Sequence, residues 1–470
     1  MKILIGEVVW IQSAEACLSD ICVDVFYVFY CRVEDISKSS SKARTENEPC
    51  WIRPLGYTEK FMTSASKIGN MKTLYAVWIE SKRHLNINDV KHVSKMMYGK
   101  MPHLQLSVGK HKKDLWWKVM SSDVQDVEEI STDEDVQSLF ESLSKHSYDI
   151  EKGPLWFVRL VTGTEKTNAS DSHKYILVFG FHHNFSDGTS NMIFCNNFVL
   201  ALNDYFLNKE LLIKEEGYFA SPIHDEIANK DRSELELAKY FSKRFCSGLL
   251  SFNKAIKNFL TYYPLPYHDK SCGQTNVLFA ELDETSTEKL LRRCHMEKVT
   301  LNSAFTAVAN IALYKMILLK DKNILETTFH TQHAVNMRRY WPKDKQNLAL
   351  GCHISMANIS IPTQLKDMEN FWEYARRIHE TIRHDLIVKK TVLKVQPLSE
   401  KLCLVIFANY LLAQLKWPST NDSHYCVTNM GDISSLIETE NQIVNITKIH
   451  RSVVCHYMQV LKYLFLIIKS

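Results

Sequence analysis

Two apolar runs joined by a polar stretch constrain this chain most: Gly153–Val161 (GPLWFVRLV) and Lys174–His183 (KYILVFGFHH). Both are rich in β-branched and aromatic residues. With the polar Gly163–Ser172 between them, they are expected to form a β-hairpin. The second arm ends in two adjacent histidines, His182 and His183, and Asp187 and Gly188 follow shortly after. From Gly188 a helix is expected to run to about Leu207, with Ile193, Phe194, Val199 and Leu202 among its apolar residues.

Taken as residues alone, His182, His183 and Asp187 admit three readings. Two imidazoles and a carboxylate are metal-ligand types, but neighbouring strand residues point to opposite faces, so both rings could not reach one ion without distortion. They could also be polar residues that merely end a strand. The third reading is a general base on the rim of a channel, with the carboxylate turned back to hold the loop.

Elements of both kinds recur along the chain. Thr73–Ser81 is expected to be a strand. A helix follows with Asn88 as its cap, Val90, Val93 and Met97 on one face, and Gly99 at its end. Strands are expected in HLQLSV and DLWWKVM, and a helix near Asp133–Ser147. The second half repeats the style without repeating the sequence. Helical segments fill Ser233–Leu260, Thr285–Lys298, Val299–Leu318 and Phe371–His384, and strands are expected in NVLFAELD, LETTFHTQHAVNM, GCHISMANISIP and HYCVTNMGDI. This mixture predicts an α/β (α+β) architecture of two similar lobes. Residues 1–50, with the Ser- and Lys-rich stretch Ser37–Glu48, are expected to be an atypical, poorly ordered extension. The first lobe is assigned to 51–215 and the second to 216–470, with an apparently shortened end.

Composition excludes several classes. With 57 basic and 53 acidic residues, the net charge of +4 gives no case for nucleic acid as a partner. The 12 cysteines contain no CxxC pair, so neither a disulfide framework nor a zinc site is expected. The apolar stretches at Ile21–Cys31 and Val460–Ser470 are too short to span a bilayer. No transmembrane segment and a cytoplasmic location are therefore expected.

His182-His183-Asn184-Phe185-Ser186-Asp187-Gly188 matches the HHxxxDG signature, and here the chain resembles the chloramphenicol-acetyltransferase-like acyltransferases. That superfamily includes condensation domains, alcohol acetyltransferases and the plant BAHD enzymes. RPLGYTEKFM from Arg53 resembles the family's RxLGxxE opening, and GKMPHLQLSV its RHPxLR stretch. KVTLNSAFTAVANIAL, AVNMRRYWP and LALGCHISMANI follow in family order, from Trp51 to about Asp432. The plant segment DFGWG is absent, and the closing residues 433–470 do not resemble family members.

The resemblance implies two lobes forming a pseudo-dimer, each a mixed sheet flanked by helices, with an active-site tunnel between them. It implies His183 as general base, His182 as a structural ring turned toward the core, and Asp187 as a brace paired with Arg338, or with Arg339 if the register is one off. Gly188 and Thr428, in VTNMGD, would serve the oxyanion. The implied partners are acyl-CoA, as co-substrate and not as a tightly bound cofactor, and a small-molecule alcohol or amine. No metal is expected, and the protein is expected to be a monomer. The alternatives are a family member that has lost turnover and acts as a binding or scaffold protein, and a stand-alone condensation enzyme using carrier-protein thioesters.

Overall fold

The computed structural model describes residues 2–6, 49–56, 58–60, 62–63, 66, 72–112, 114–120, 125–132, 135–163, 172–210, 218–219, 259–263, 277–341, 349–388, 424–432, 442–454 and 462–469. The helices expected over Ser233–Leu260 fall almost wholly outside these residues.

β1 (Lys2–Gly6) opens the chain. The first lobe then follows as β2 (Trp51–Pro54), β3 (Lys72–Ser81), α1 (Ile87–Lys100), β4 (Leu106–His111), β5 (Asp114–Val119), β6 (Val127–Ser131), α2 (Val136–Leu143), β7 (Trp156–Thr162), β8 (His173–His182) and α3 (Gly188–Phe206). The second half supplies β9 (Tyr218–Phe219), α4 (Phe259–Tyr262), β10 (Phe279–Leu282), α5 (Glu284–Met296), α6 (Leu301–Lys320), β11 (Glu326–Asn336), β12 (Ala349–Leu350), β13 (Ile354–Gln364), α7 (Lys366–Glu369), α8 (Phe371–Arg383), β14 (Tyr425–Asp432), β15 (Val444–Val454) and β16 (Lys462–Lys469).

The hairpin of the opening observation is β7–β8, antiparallel, with Trp156 opposite Phe181 and Val161 opposite Ile176. β8 is buried on both faces because helices cover both, which is why it reads as an unbroken apolar run. Leu177, Phe179 and Phe181 pack with Val90 and Val93 of α1 and Phe194 and Phe198 of α3. Ile176 and Val178, on the alternate face, pack with Leu139 and Phe140 of α2. In the second lobe β13 instead alternates buried and exposed residues, and helices cover its buried face. Ile359 and Ile361 of β13 meet Ala304 and Ala307 of α6 and Tyr374 and Ile378 of α8.

Helix starts follow local chemistry. Asn86 and Asp89 cap α1 reciprocally, two residues earlier than the cap expected at Asn88. Pro102 opens a 3-10 turn over Pro102–Gln105, so the strand expected from His103 begins only at Leu106. Among the described residues, α6 is long and apolar enough to cross a membrane, and half of that stretch is buried inside the protein.

Sheet order shows how the lobes are joined. The second lobe's sheet runs β10-β1-β16-β14-β11-β13, so residues 2–6 of the N-terminal segment are a strand within it, paired with β10 and β16. The first lobe's sheet runs β15-β3-β8-β7-β6. β15, assigned by sequence to the second lobe, is thus hydrogen-bonded along β3 of the first. Asn203 of α3 fastens its start: the side-chain oxygen accepts from the Ile443 and Val444 N–H groups at 2.7 and 2.8 Å, and the amide donates to the Val444 carbonyl at 2.9 Å.

Candidate active site

β8 ends at His182, and the chain then turns through five residues before α3 begins. Both imidazoles are buried and differ in their partners. The His183 Nδ1 lies 3.0 Å from the Ser186 carbonyl oxygen. A carbonyl only accepts, so Nδ1 carries the proton and the neutral ring's lone pair sits on Nε2. His182 takes the opposite part: its Nδ1 accepts from the Asn184 N–H at 3.2 Å, and its ring meets Tyr148 edge-on at 5.6 Å.

Burial keeps both rings neutral. It pushes the His182 pKa down to about 3. His183 is lowered first by burial and next by the Arg451 guanidinium, while Asp187 and the Ser186 carbonyl act the other way. Lys72 stands opposite His182 across the β3–β8 ladder and donates to the carbonyls of Leu143 and His146.

Asp187 caps α3, accepting from the Ser190 N–H at 3.0 Å. Its other oxygen accepts from Arg338 Nη1 and from the His353 N–H, both at 2.7 Å. Burial works against the carboxylate, but Arg338 and these N–H donors hold it down to about 2. Arg338 also donates to Ser190 Oγ at 2.8 Å, and Ser190 Oγ exchanges hydrogen bonds with the Gly351 N–H and carbonyl at 3.0 and 3.1 Å. The loop before α3 is thereby tied to the β11–β13 region of the other lobe. Arg339, the other guanidinium of that turn, donates to the Asn336 carbonyl instead.

Gly188 is the first residue of α3 and has no positive φ, and the neighbour a side chain there would crowd is the flexible end of Met430. A Cβ there would lie 2.6 Å from Met430 Sδ and 3.7 Å from the Arg451 guanidinium carbon. Met430, near the end of β14, packs against the first lobe's core, so the VTNMGD segment reaches the histidine loop through that side chain. Thr428 is half-buried on the same strand, two residues before Met430, opposite Phe465 of β16. Among the described residues no group of three His, Cys, Asp or Glu side chains is arranged to hold a metal ion.

Ser190, Gly351, His353 and Arg451 also belong to this site and had no sequence signal of their own. Ser190 looks like an ordinary first-turn serine, and the other three lie 161 or more positions further along the chain. The one available cue was Gly351-Cys352-His353, which opens a segment already matched to the acyltransferases.

Residues 114–450 match the profile of the alcohol acetyltransferase family. Among curated proteins, none matches the chain in sequence. Among solved structures, TRI3 trichothecene 15-O-acetyltransferase from Fusarium sporotrichioides is similar with a TM-score of 0.63 and 12% identity, covering 92% of this chain and 90% of that one. Polyketide synthase associated protein 5 from Mycobacterium tuberculosis gives 0.57 at 13% identity, with 90% and 91% covered. A variant of the starter condensation domain of rhizomide synthetase, in complex with C8-CoA, gives 0.53 at 12% identity, with 88% and 85% covered. At such identities these likenesses are of fold.

Proposed function

The chain belongs to the alcohol acetyltransferase family, and from that premise we propose that it moves an acyl group from the thioester of acyl-CoA to a small-molecule alcohol, with His183 as general base. Its fold is the two-lobed one of chloramphenicol-acetyltransferase-like acyltransferases and condensation domains. The observation that carries the reading is the His183 tautomer. Nδ1 is committed to the Ser186 carbonyl, so Nε2 is left basic, and burial keeps the ring unprotonated at neutral pH.

In the proposed reaction Nε2 takes the acceptor's proton as its oxygen attacks the thioester carbon, and returns that proton to the departing CoA thiolate. The carbonyl oxygen bears the charge in between. The Gly188 N–H at the start of α3 and the Thr428 hydroxyl are the proposed donors to it. Asp187 has no part in moving the proton; held by Arg338 and the His353 N–H, it fixes the loop on which His183 stands. An acyl-CoA donor is supported by the C8-CoA complex of a protein sharing the fold.

The experiment follows thiol release from acyl-CoA by the purified protein across a panel of alcohols and amines, beside His183→Ala. Turnover that falls by about 10²–10⁴ in the variant is expected for loss of a general base. Equal release by both proteins, or none by either, overturns the reading.

A further inference from the structure

Arg451 brings a cation to the histidine loop from an element outside it. It lies on β15 opposite Tyr75 of β3, is 4% exposed, and sets its guanidinium 5.7 Å from the centre of the Tyr75 ring. Arg451 packs against the first turn of α3: its guanidinium carbon would stand in van der Waals contact, 3.7 Å, with a Cβ on Gly188, and Met430 reaches closer still. The charged and titratable groups facing His183 are Arg451 from β15 and, from its own loop, Asp187 and His182. Asp187 is already matched by Arg338 at 2.7 Å, so its charge does little to offset Arg451. The N-terminal end of α3 adds partial positive charge at the same place. Two positive sources therefore meet at the histidine loop.

A neutral thioester gains little from such a field, whereas an oxygen acquiring negative charge in a water-poor site gains much. Resting on the acyl-transfer reading above, we infer that Arg451 is a catalytic residue that receives the charge developing on the thioester carbonyl oxygen beside Gly188. As the acceptor oxygen bonds to the carbonyl carbon, the C=O electron pair moves onto that oxygen and faces the guanidinium, while the acceptor's proton goes to His183. The oxyanion then re-forms C=O, the C–S bond breaks, and the thiolate takes the proton back from His183. No external oxidant or reductant enters.

The test uses the full chain, acyl-CoA and the alcohol that gives the fastest thiol release, with Arg451→Met, Arg451→Lys and Arg451→Ala, the last with and without added guanidinium. Arg451→Met is expected to lower kcat by roughly 10²–10³, the loss typical of removing an oxyanion donor. KM for acyl-CoA should stay within about threefold, the mark of an interaction made only in the transition state. Arg451→Lys should retain more activity than Arg451→Met, and guanidinium should restore part of it to Arg451→Ala. The acidic limb of kcat/KM should move to higher pH in Arg451→Met, because His183 loses a neighbouring cation.

An Arg451→Met protein with wild-type circular dichroism and kcat within about threefold of wild type overturns the role. So does a loss shared equally by Arg451→Lys, with neither guanidinium rescue nor a moved pH limb. Should Arg451→Met fail to fold, the lysine variant and the rescue decide. A wild-type protein releasing no thiol overturns the acyl-transfer reading and this role together, whereas an active wild type with an indifferent Arg451 overturns this role alone.

Discussion

At the scale of single residues, the site is a set of charges and protons held by neighbours of known valence. Asp187 is buried, and its ion pair with Arg338 is supplemented by two backbone N–H groups. Asp187→Asn leaves a guanidinium uncompensated in the interior and should cost ~3–5 kcal/mol. Urea unfolding of the two proteins measures this, and an unchanged midpoint defeats the bracing role. The same pair sets a pH dependence. Folded Asp187 is held at about 2 against an ordinary 3.8. Its contribution is therefore full above the unfolded value and is lost as pH falls from about 4 toward 2, amounting to about 2 kcal/mol. That slope should vanish in Asp187→Asn. His183 works in the other sense: burial favours the neutral base, so kcat/KM should stay flat through neutral pH and decline only below the ordinary histidine value of 6.5. An acidic limb centred above 6.5 would contradict that assignment.

Elements carry the site by fitting one another. Gly180 of β8 lies opposite Phe157 of β7, and a Cβ on Gly180 would run into the Phe157 ring. Gly180→Ala should cost about 1–3 kcal/mol by overpacking, and pairing it with Phe157→Leu should recover part of the loss. Thermal or urea unfolding of the single and double variants reads this; equal stability of Gly180→Ala and wild type refutes it. Asn203 binds α3 to β15 through both ends of its amide. Asn203→Ala leaves the buried Val444 N–H and the part-buried Ile443 N–H without this acceptor, at about 1–3 kcal/mol for a buried group left unsatisfied. Hydrogen exchange should quicken along Val444–Val454 and spare β6 and β7. Uniform quickening would instead indicate global destabilisation.

For the whole molecule, the decisive feature is that the second half of the chain completes the first lobe. β15 supplies the edge strand beside β3 and brings Arg451 to the histidine loop, while Arg338 and the His353 N–H reach Asp187 from the other side. A fragment of residues 51–215 lacks that edge strand and leaves Ile79, Tyr75 and Val77 without the packing of Val444, Ile446 and Ile449. It is expected to lack cooperative unfolding and a near-ultraviolet circular dichroism signal. A fragment unfolding as cooperatively as the full chain would contradict this.

The sequence by itself determined the hairpin, the helix after it and the residue types of the loop. These depend on local periodicity and capping, and Asp187 and Gly188 sit where a helix start requires them. It also carried a motif resemblance that linked positions 187 and 338 before any contact was known. Only the tertiary structure decided the tautomer of His183, because the Ser186 carbonyl must first fold back onto Nδ1. It alone seated β1 and β15 in sheets far from their neighbours in sequence, since strand pairing between positions 81 and 444 leaves no mark in either segment. Ser190, His353 and Arg451 became parts of the site for the same reason: their chemistry comes from what they approach, and approach across lobes is set by packing.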